Sequence, residues 1–457
     1  MYTFKKENSW QKLQSDFLLQ RRKKSLILKS ARVGGLVLAI AGLGLAGLFL
    51  TGYFFPEKQS PGPTPPTAQS SAKAEVLSKP ALKIMTRNLD ILNSPKDHFF
   101  VDTPAQSYTV YTGLDTRLQA LLGKTLDRLQ SRDRGKPQRI AMVAMDGSTG
   151  LIKAMAGFDL ADPKANPCTA ADYPAASIFK IVTASAAVDA LGYSPATSMY
   201  FNGNKYTLYK RQLTEKKNRY TYKISLGRAF AESINPVFGK LGKLYLGKKK
   251  LNTYAHEFGF NQGPETDFDF ESSAFSLTQS DYHLAELGCG FNRDTQISPI
   301  FGAMLVSPII NQGHSLVPRL VDRVTDLDGK LIYKSQKEVF KIPVGSKTAL
   351  TMIELMKQTI SKGTARKAFR GYSRDKVLSG LIIGGKTGSL FNRERTVKYD
   401  WFTGFGRDKK SGETLVVTVV VGHRKYIGTR ASTHAKNMLK TYFKPIPTNH
   451  LAPGTRS

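Results

Sequence analysis

The apolar residues of this 457-residue chain recur with two different periods, which predict where its helices and strands lie. Leucines three or four positions apart within residues 112–130 predict an amphipathic helix, and residues 346–360 and 433–443 predict two more. Residues 139–158 hold two apolar runs joined by Asp-Gly-Ser-Thr-Gly, a sequence typical of a β-hairpin.

Three strand-like runs follow near the C-terminal end, at residues 377–390, 400–406 and 413–423. The last is apolar and β-branched over eight residues, as expected for a strand buried on both faces. Residues 177–263 are mostly of helical character, interrupted by a basic polar loop at 206–223 that favours a solvated face over a binding site. Strands from both ends of one body, with helices around them, predict an α+β fold.

The N-terminal region predicts the compartment. Residues 33–55 carry no charge and are long enough to cross a bilayer as a helix. Residues 1–32 hold nine Lys or Arg against two acidic residues, an excess that predicts a cytoplasmic tail and an extracytoplasmic body. The length of the apolar segment and its Tyr-Phe-Phe ending favour an uncleaved single-pass anchor over a cleaved signal peptide.

The composition and charge of the chain limit the classes of partner and the compartment that we expect. The formal net charge is +32, and most of it lies beyond the predicted anchor, which counts against nucleic acid as a partner. Residues 56–75 are rich in Pro and Ser and predict an extended linker, followed by a short membrane-proximal segment at 76–110. Cys168 and Cys289 lack metal-ligand spacing, and two buried free thiols are favoured over one disulfide.

Candidate chemistry begins with a serine and a lysine three positions apart, a pattern that occurs four times in the chain. The pairs are Ser9 and Lys12, Ser70 and Lys73, Ser177 and Lys180, and Ser373 and Lys376. Only Ser177 heads an apolar helical run. Because positions i and i+3 share a helix face, the Lys180 amine can reach the Ser177 hydroxyl. A neutral amine there could take the serine proton and activate a nucleophile.

Two further motifs give this pair its context. Ser233-Ile-Asn235 lies in the helical middle of the chain, and Lys386-Thr-Gly388 lies in a strand-like run. Ser-x-x-Lys, Ser-x-Asn and Lys-Thr-Gly, in this order and at domain-scale spacing, form the signature of penicillin-binding proteins and serine β-lactamases.

The resemblance extends beyond the three motifs. From about residue 113 to residue 443 the chain resembles the transpeptidase domain of penicillin-binding proteins, with segments such as "LDTRLQ", "VAMDGSTGLIKAM", "KGTARKAF" and "DWFTGF" in the family's order. The resemblance implies an antiparallel sheet flanked by helices with an all-helical subdomain, over residues 111–445, and a C-terminal tail at 446–457. One departure stands beside the nucleophile, where Ala175-Ala176 replaces the Pro-Gly that the family often has.

The resemblance also implies catalytic roles. Ser177 would attack a D-Ala-D-Ala peptide stem and become acylated, with Lys180 as its base. Ser233 would relay a proton to the leaving amine, and Asn235 would orient the acyl group. Lys386 would keep the site electropositive and help to hold Lys180 neutral.

Substrate binding is implied in the same way. Thr387 and Ser389 would hold the substrate carboxylate, and Gly388 would leave room for the substrate backbone. The backbone N–H groups of Ser177 and Ser389 would form the oxyanion hole. No cofactor and no metal ion are implied.

Within the family, the sequence favours a compact, monofunctional, class B-like protein. No Glu-x-x-Leu-Asn follows Ser233, as a class A β-lactamase would require, and Asn235 stands where class D enzymes have an aliphatic residue. About 55 residues separate the anchor from the domain, too few for a glycosyltransferase domain or a large N-terminal pedestal.

We therefore expect a bacterial peptidoglycan D,D-transpeptidase on the outer side of the cytoplasmic membrane. β-Lactams would be covalent inhibitors, and a glycosyltransferase or another cell-wall synthesis protein is the expected partner. Two alternatives remain open at this point: a D,D-carboxypeptidase or other acyl-serine hydrolase, and a non-catalytic envelope-binding scaffold.

Overall fold

The computed structural model of the chain describes residues 77–277 and 280–445. Within these ranges, no helix is both long and apolar enough to cross a membrane. Four predicted segments lie outside them: the basic tail at 1–32, the anchor at 33–55, the linker at 56–75 and the C-terminal tail at 446–457.

The described residues form helices and strands throughout. The strands are β1 (His98–Asp102), β2 (Ser107–Thr112), β3 (Arg139–Asp146), β4 (Ile152–Asp159), β5 (Tyr173–Pro174), β6 (Ser198–Phe201), β7 (Tyr222–Ser225), β8 (Ser273–Ala274), β9 (Gln296–Ile297), β10 (Ser315–Leu316), β11 (Val321–Asp326), β12 (Leu331–Lys334), β13 (Val339–Lys341), β14 (Leu381–Phe391), β15 (Lys398–Asp408) and β16 (Thr414–His423). The α-helices are α1 (Lys79–Arg87), α2 (Thr116–Gln130), α3 (Lys180–Leu191), α4 (Leu226–Ala231), α5 (Asn235–Lys240), α6 (Gly247–Glu257), α7 (Asp281–Cys289), α8 (Pro299–Met304), α9 (Ser307–Ile310), α10 (Ser346–Ser361) and α11 (Ala431–Tyr442).

The main sheet has five strands in the order β14-β15-β16-β3-β4, and every neighbouring pair is antiparallel. The prediction of a hairpin at 139–158 and of three later strands is confirmed, and so is the prediction that both ends of the body meet in one sheet. β14 is an edge strand, so the side away from β15 is open to other parts of the molecule and to ligands.

Alternating residues of the sheet belong to two separate cores. Ile140 and Met142 of β3 pack with the leucines of α2 and with α11. Ala141 and Val143 pack on the other side with the helices that lie between β5 and β10 in the chain, which we call the helical part. This is the period of two that a strand buried on both faces requires. α2 begins at Asp115, whose carboxylate accepts a hydrogen bond from the Leu118 N–H at 2.9 Å.

A second, smaller sheet has the order β1-β2-β11-β12. Its core is formed by α1 residues, including Leu82, together with Val110 and Val324. The expected boundary between a segment at 76–110 and a domain at 111–445 falls within β2, which pairs with β11. The pairing joins strands about 200 residues apart, which no local pattern reveals.

Candidate active site

The nucleophile candidate lies in a short turn that leads into a buried helix. Ser177 belongs to a 3₁₀ turn over Ala176–Phe179, and α3 begins directly afterwards at Lys180. The Lys180 side chain is fully buried and its Nζ lies 2.7 Å from the Ser177 Oγ. The sequence-predicted pair is thus in hydrogen-bond contact, with the hydroxyl half-buried at the surface of the site.

The remaining neighbours of Lys180 determine what its amine can do. Nζ donates to the Asn235 Oδ1 at 2.8 Å and to the Cys289 carbonyl at 2.6 Å. The Asn235 Nδ2 in turn donates to the Tyr206 carbonyl at 2.9 Å, which fixes the amide with its oxygen toward the lysine. A neutral amine has two N–H donors and one lone pair. With both donors occupied, the lone pair is directed at the Ser177 hydroxyl.

The serine of the second motif lies in a turn between α4 and α5, and its asparagine, Asn235, is the first residue of α5. Ser233 has φ 58°, a left-handed conformation that is uncommon for a residue with a side chain, and its Oγ accepts a hydrogen bond from the Lys386 Nζ at 2.9 Å. Lys386 is fully buried on β14 and also donates to the Thr387 carbonyl at 2.8 Å. The structure therefore joins the second and third motifs directly.

Burial lowers the pKa of both lysines. The pKa of Lys180 falls to about 8 because its charged form is desolvated. The pKa of Lys386 falls well below its ordinary value, first through burial and then through the positive charge of Lys180. The resemblance implies that a charged Lys386 helps to keep Lys180 neutral, and in this site burial disfavours the charged form of both lysines.

The substrate-binding candidates lie along the open edge of β14. Gly388 is buried, and a Cβ added to it would lie 3.3 Å from the Ser177 backbone N and 3.3 Å from the Ala176 Cβ. The strand thus passes directly beside the nucleophile turn, which no larger residue at position 388 would allow without a shift. Ser389 is exposed, and the partly exposed Thr387 hydroxyl forms a hydrogen bond with the Thr364 hydroxyl.

Three contributors to the site were not predicted from the sequence. Thr364 connects β14 with the helical part, because its backbone N–H donates to the Ala231 carbonyl at 3.0 Å. Thr364 lies in the segment "KGTARKAF", whose resemblance to the family could have indicated it. The carbonyls of Tyr206 and Cys289 gave no signal, because every residue type carries one.

The departure from Pro-Gly before the nucleophile has a structural cost. Ala176 has φ 48°, and its carbonyl faces Gly290, where an added Cβ would lie only 1.9 Å from the Ala176 oxygen. A left-handed conformation costs an L-residue about 1–2 kcal/mol. The nucleophile turn is therefore held in a strained conformation by close backbone packing against Gly290.

Replacing Ala176 by glycine should relieve this strain. The gain of about 1–2 kcal/mol exceeds the roughly 0.8 kcal/mol lost with one buried methyl group, so we expect the free energy of unfolding to rise slightly or stay constant. Ala175→Gly is the matched control, because Ala175 is equally buried but has φ −60°. Urea denaturation should show Ala175→Gly destabilised by about 1 kcal/mol, and equal losses in both variants would contradict the assignment of strain.

Comparison with known proteins agrees with this geometry. The family model of the penicillin binding protein transpeptidase domain matches residues 140–444, about two thirds of the chain. The chain belongs to the penicillin-binding protein transpeptidase family. The match includes all three motifs, and the predicted fold class is confirmed.

Relatives of this penicillin-binding protein are moderately similar in sequence. It is 26% identical to Stage V sporulation protein D of Bacillus subtilis over 290 residues, which are 60% of this chain and 43% of that protein. It is 27% identical to the peptidoglycan D,D-transpeptidase PbpA of Mycolicibacterium smegmatis over 317 residues, 62% of each chain. The match thus spans about half the length of these curated relatives.

Solved structures show the same fold. The D,D-transpeptidase domain of a peptidoglycan glycosyltransferase from Eggerthella lenta has a TM-score of 0.58 at 24% identity, covering 73% of this chain and 82% of that chain. The imipenem acyl-enzyme complex of penicillin-binding protein A from M. tuberculosis has a TM-score of 0.60 at 21% identity, covering 73% and 79%.

Proposed function

We propose that this penicillin-binding protein is a peptidoglycan D,D-transpeptidase that acts through an acyl-serine intermediate at Ser177. The observation that carries the proposal is the Lys180 amine, which lies 2.7 Å from the Ser177 Oγ while carbonyl groups occupy its other donors. Such an arrangement suits general-base activation of a hydroxyl.

In the acylation step, the Ser177 Oγ attacks the carbonyl carbon of the penultimate D-Ala, and Lys180 takes the hydroxyl proton. The backbone N–H groups of Ser177 and Ser389 stabilise the developing oxyanion. The C–N bond to the terminal D-Ala then breaks, and the leaving amine receives a proton through Ser233. In the second step an acceptor amine attacks the ester, forms the new amide and returns a proton to Ser177.

The substrate carboxylate would influence the protonation states of Lys386 and Lys180. We place it beside Thr387 and Ser389, close to the Lys386 ammonium. A carboxylate there favours the charged form of Lys386, and the charge of Lys386 in turn favours a neutral Lys180. Substrate binding would thus favour the protonation state that the resemblance implies, a charged Lys386 beside a neutral Lys180.

The relatives support this activity. PbpA is named a peptidoglycan D,D-transpeptidase, and penicillin-binding protein A forms an acyl-enzyme with imipenem. We extend both properties to this chain, with β-lactams as covalent inhibitors. We further propose that residues 33–55 anchor it in the bacterial cytoplasmic membrane, with the catalytic domain outside and a glycosyltransferase supplying nascent strands.

The products made from uncross-linked peptidoglycan strands test the proposal. The full-length chain in detergent should convert them to cross-linked dimers, detected by mass spectrometry after muramidase digestion, and Ser177→Ala should form none. Trimmed tetrapeptides without dimers would instead identify a D,D-carboxypeptidase, and no product would favour a scaffold.

The pH dependence of acylation reports on Lys180. Because the base must be deprotonated and burial lowers its pKa to about 8, the second-order rate constant for acylation by penicillin should rise about tenfold per pH unit below 8 and level off above it. Asn235→Asp should shift the midpoint upward, since a carboxylate beside Lys180 favours the ammonium. A rate that is constant between pH 6 and 8 would contradict the proposed base.

A further inference from the structure

The basic loop at residues 206–223 is mostly polar, but buried side chains and hydrogen bonds hold it against the rest of the protein. Leu208 and Leu213 are buried, and they pack so closely on Gly239 that an added Cβ there would meet them at 2.7 and 2.9 Å. Gln212 is also buried, and its side chain bonds the Asn202 carbonyl at 2.8 Å and the Tyr209 N–H at 2.9 Å. These contacts fix which side chains of the loop face the solvent.

The outward side chains are aromatic and basic. Four tyrosines are more than half exposed: Tyr206, Tyr209, Tyr220 and Tyr222. Six cations are exposed with them: Lys210, Arg211, Lys216, Lys217, Arg219 and Lys223. Some of these lie over rings, such as Arg219 at 4.7 Å from the ring centre of Tyr220.

The positive charge of the loop is not neutralised by carboxylates. Glu215, the single acidic residue of the loop, pairs with Lys240 of α5 at 3.4 Å. Among the residues that the structure describes, none of the six loop cations forms an ion pair with Asp or Glu. The basic loop therefore presents an unpaired positive surface with flat aromatic rings on it.

This surface adjoins the active site. The Asn235 backbone N–H donates to the Lys205 carbonyl at 2.7 Å, and the Asn235 side chain donates to the Tyr206 carbonyl at 2.9 Å. The start of the loop thus holds the residue that orients Lys180. The loop is therefore connected through Asn235 to the Lys180 amine beside Ser177.

We propose that the basic loop binds an uncross-linked peptidoglycan strand, an anionic glycopeptide polymer; the inference rests on the proposed function. Tyrosine rings offer flat faces for sugar rings, and the lysines and arginines attract the free carboxylates of the stem peptides. An anionic membrane surface is the competing occupant. It fits less well because the loop's leucines, Leu208 and Leu213, point inward and leave no exposed aliphatic side chain to insert between lipids.

Capture of the full-length chain in detergent by beads that carry uncross-linked peptidoglycan strands tests the proposal. The loop variant Lys210→Ser/Lys216→Ser/Lys217→Ser should bind about tenfold more weakly than the wild type. The matched control Lys248→Ser/Lys249→Ser/Lys250→Ser removes three lysines from α6, two of them exposed, and should bind like the wild type. Tyr209→Ser/Tyr220→Ser should also bind more weakly, which a purely electrostatic contact would not predict.

Two further measurements make the outcomes decisive. Labelling with fluorescent penicillin shows whether the Ser177 site of each variant is intact, so that loss of the proposed function is distinguished from loss of strand binding. Where the triple variant does not label, Lys216→Ser/Lys217→Ser replaces it. Equal peptidoglycan binding by labelled loop and control variants overturns the proposal. The same assay is run with beads that carry phosphatidylglycerol. If the loop variants lose binding only to these beads, the proposal is also overturned, because the loop would then be assigned to the membrane.

Discussion

Ser177→Ala should remove covalent labelling by fluorescent penicillin altogether. The reason is that the acyl bond forms on the Ser177 Oγ, which among the described residues is the one hydroxyl hydrogen-bonded to the Lys180 Nζ. The protein should remain folded, since the hydroxyl is half-buried and its loss opens no cavity in the core. Gel fluorescence measures the labelling, and mass spectrometry of wild-type digests should find the adduct on the peptide that contains Ser177.

The chain supplies its own control for this substitution. Ser373 and Lys376 have the same three-residue spacing, but both side chains are exposed. Ser373→Ala should therefore label like the wild type. Labelling that survives in Ser177→Ala would contradict the assignment of the nucleophile.

Lys180→Ala should slow acylation by about 10²–10⁴-fold, the usual contribution of a general base. The Ser177 hydroxyl stays in place but loses its proton acceptor, so binding of penicillin should change much less than the acylation rate constant. Stopped-flow measurement of the two quantities separates them. A variant that loses affinity but keeps its acylation rate would show that Lys180 only supports the structure.

Lys376→Ala is the matched control for that experiment and should acylate at the wild-type rate. The residual acylation of Lys180→Ala should also lose the rise toward pH 8, because the group that titrates is gone. A pH profile unchanged in Lys180→Ala would assign the acid limb to another residue.

The fold was largely predictable because its main sheet is built from strongly patterned segments. The hairpin at 139–158 and the run at 413–423 are typical of buried strands, because their apolar runs are short, bounded by turn residues and, in the second, β-branched. The sheet of β1, β2, β11 and β12 was not predictable, since its strands are short and its central pair, β2 and β11, joins segments about 200 residues apart. The sequence of residues 76–110 therefore predicts no clear secondary structure.

The candidate site was predictable to the extent that it depends on side-chain type. Serine, lysine and asparagine carry their chemistry in the sequence, and the structure brings Ser177, Lys180 and Asn235 into contact. The direction of the Lys180 lone pair depends instead on backbone carbonyls, and the strain at Ala176 depends on its packing against Gly290. Both arise only from the tertiary structure.

The two cysteines make the protein a convenient background for site-specific probes. Cys168 and Cys289 are buried and unpaired, and burial raises their pKa to about 12 and about 11. Thiol reagents react with the thiolate, so both native thiols should remain unmodified in the folded protein. A single cysteine placed at an exposed, uncharged position of the basic loop, for example by Thr214→Cys, would then be the one reactive thiol among the described residues. A fluorophore attached there could follow strand binding without substitution of either native cysteine.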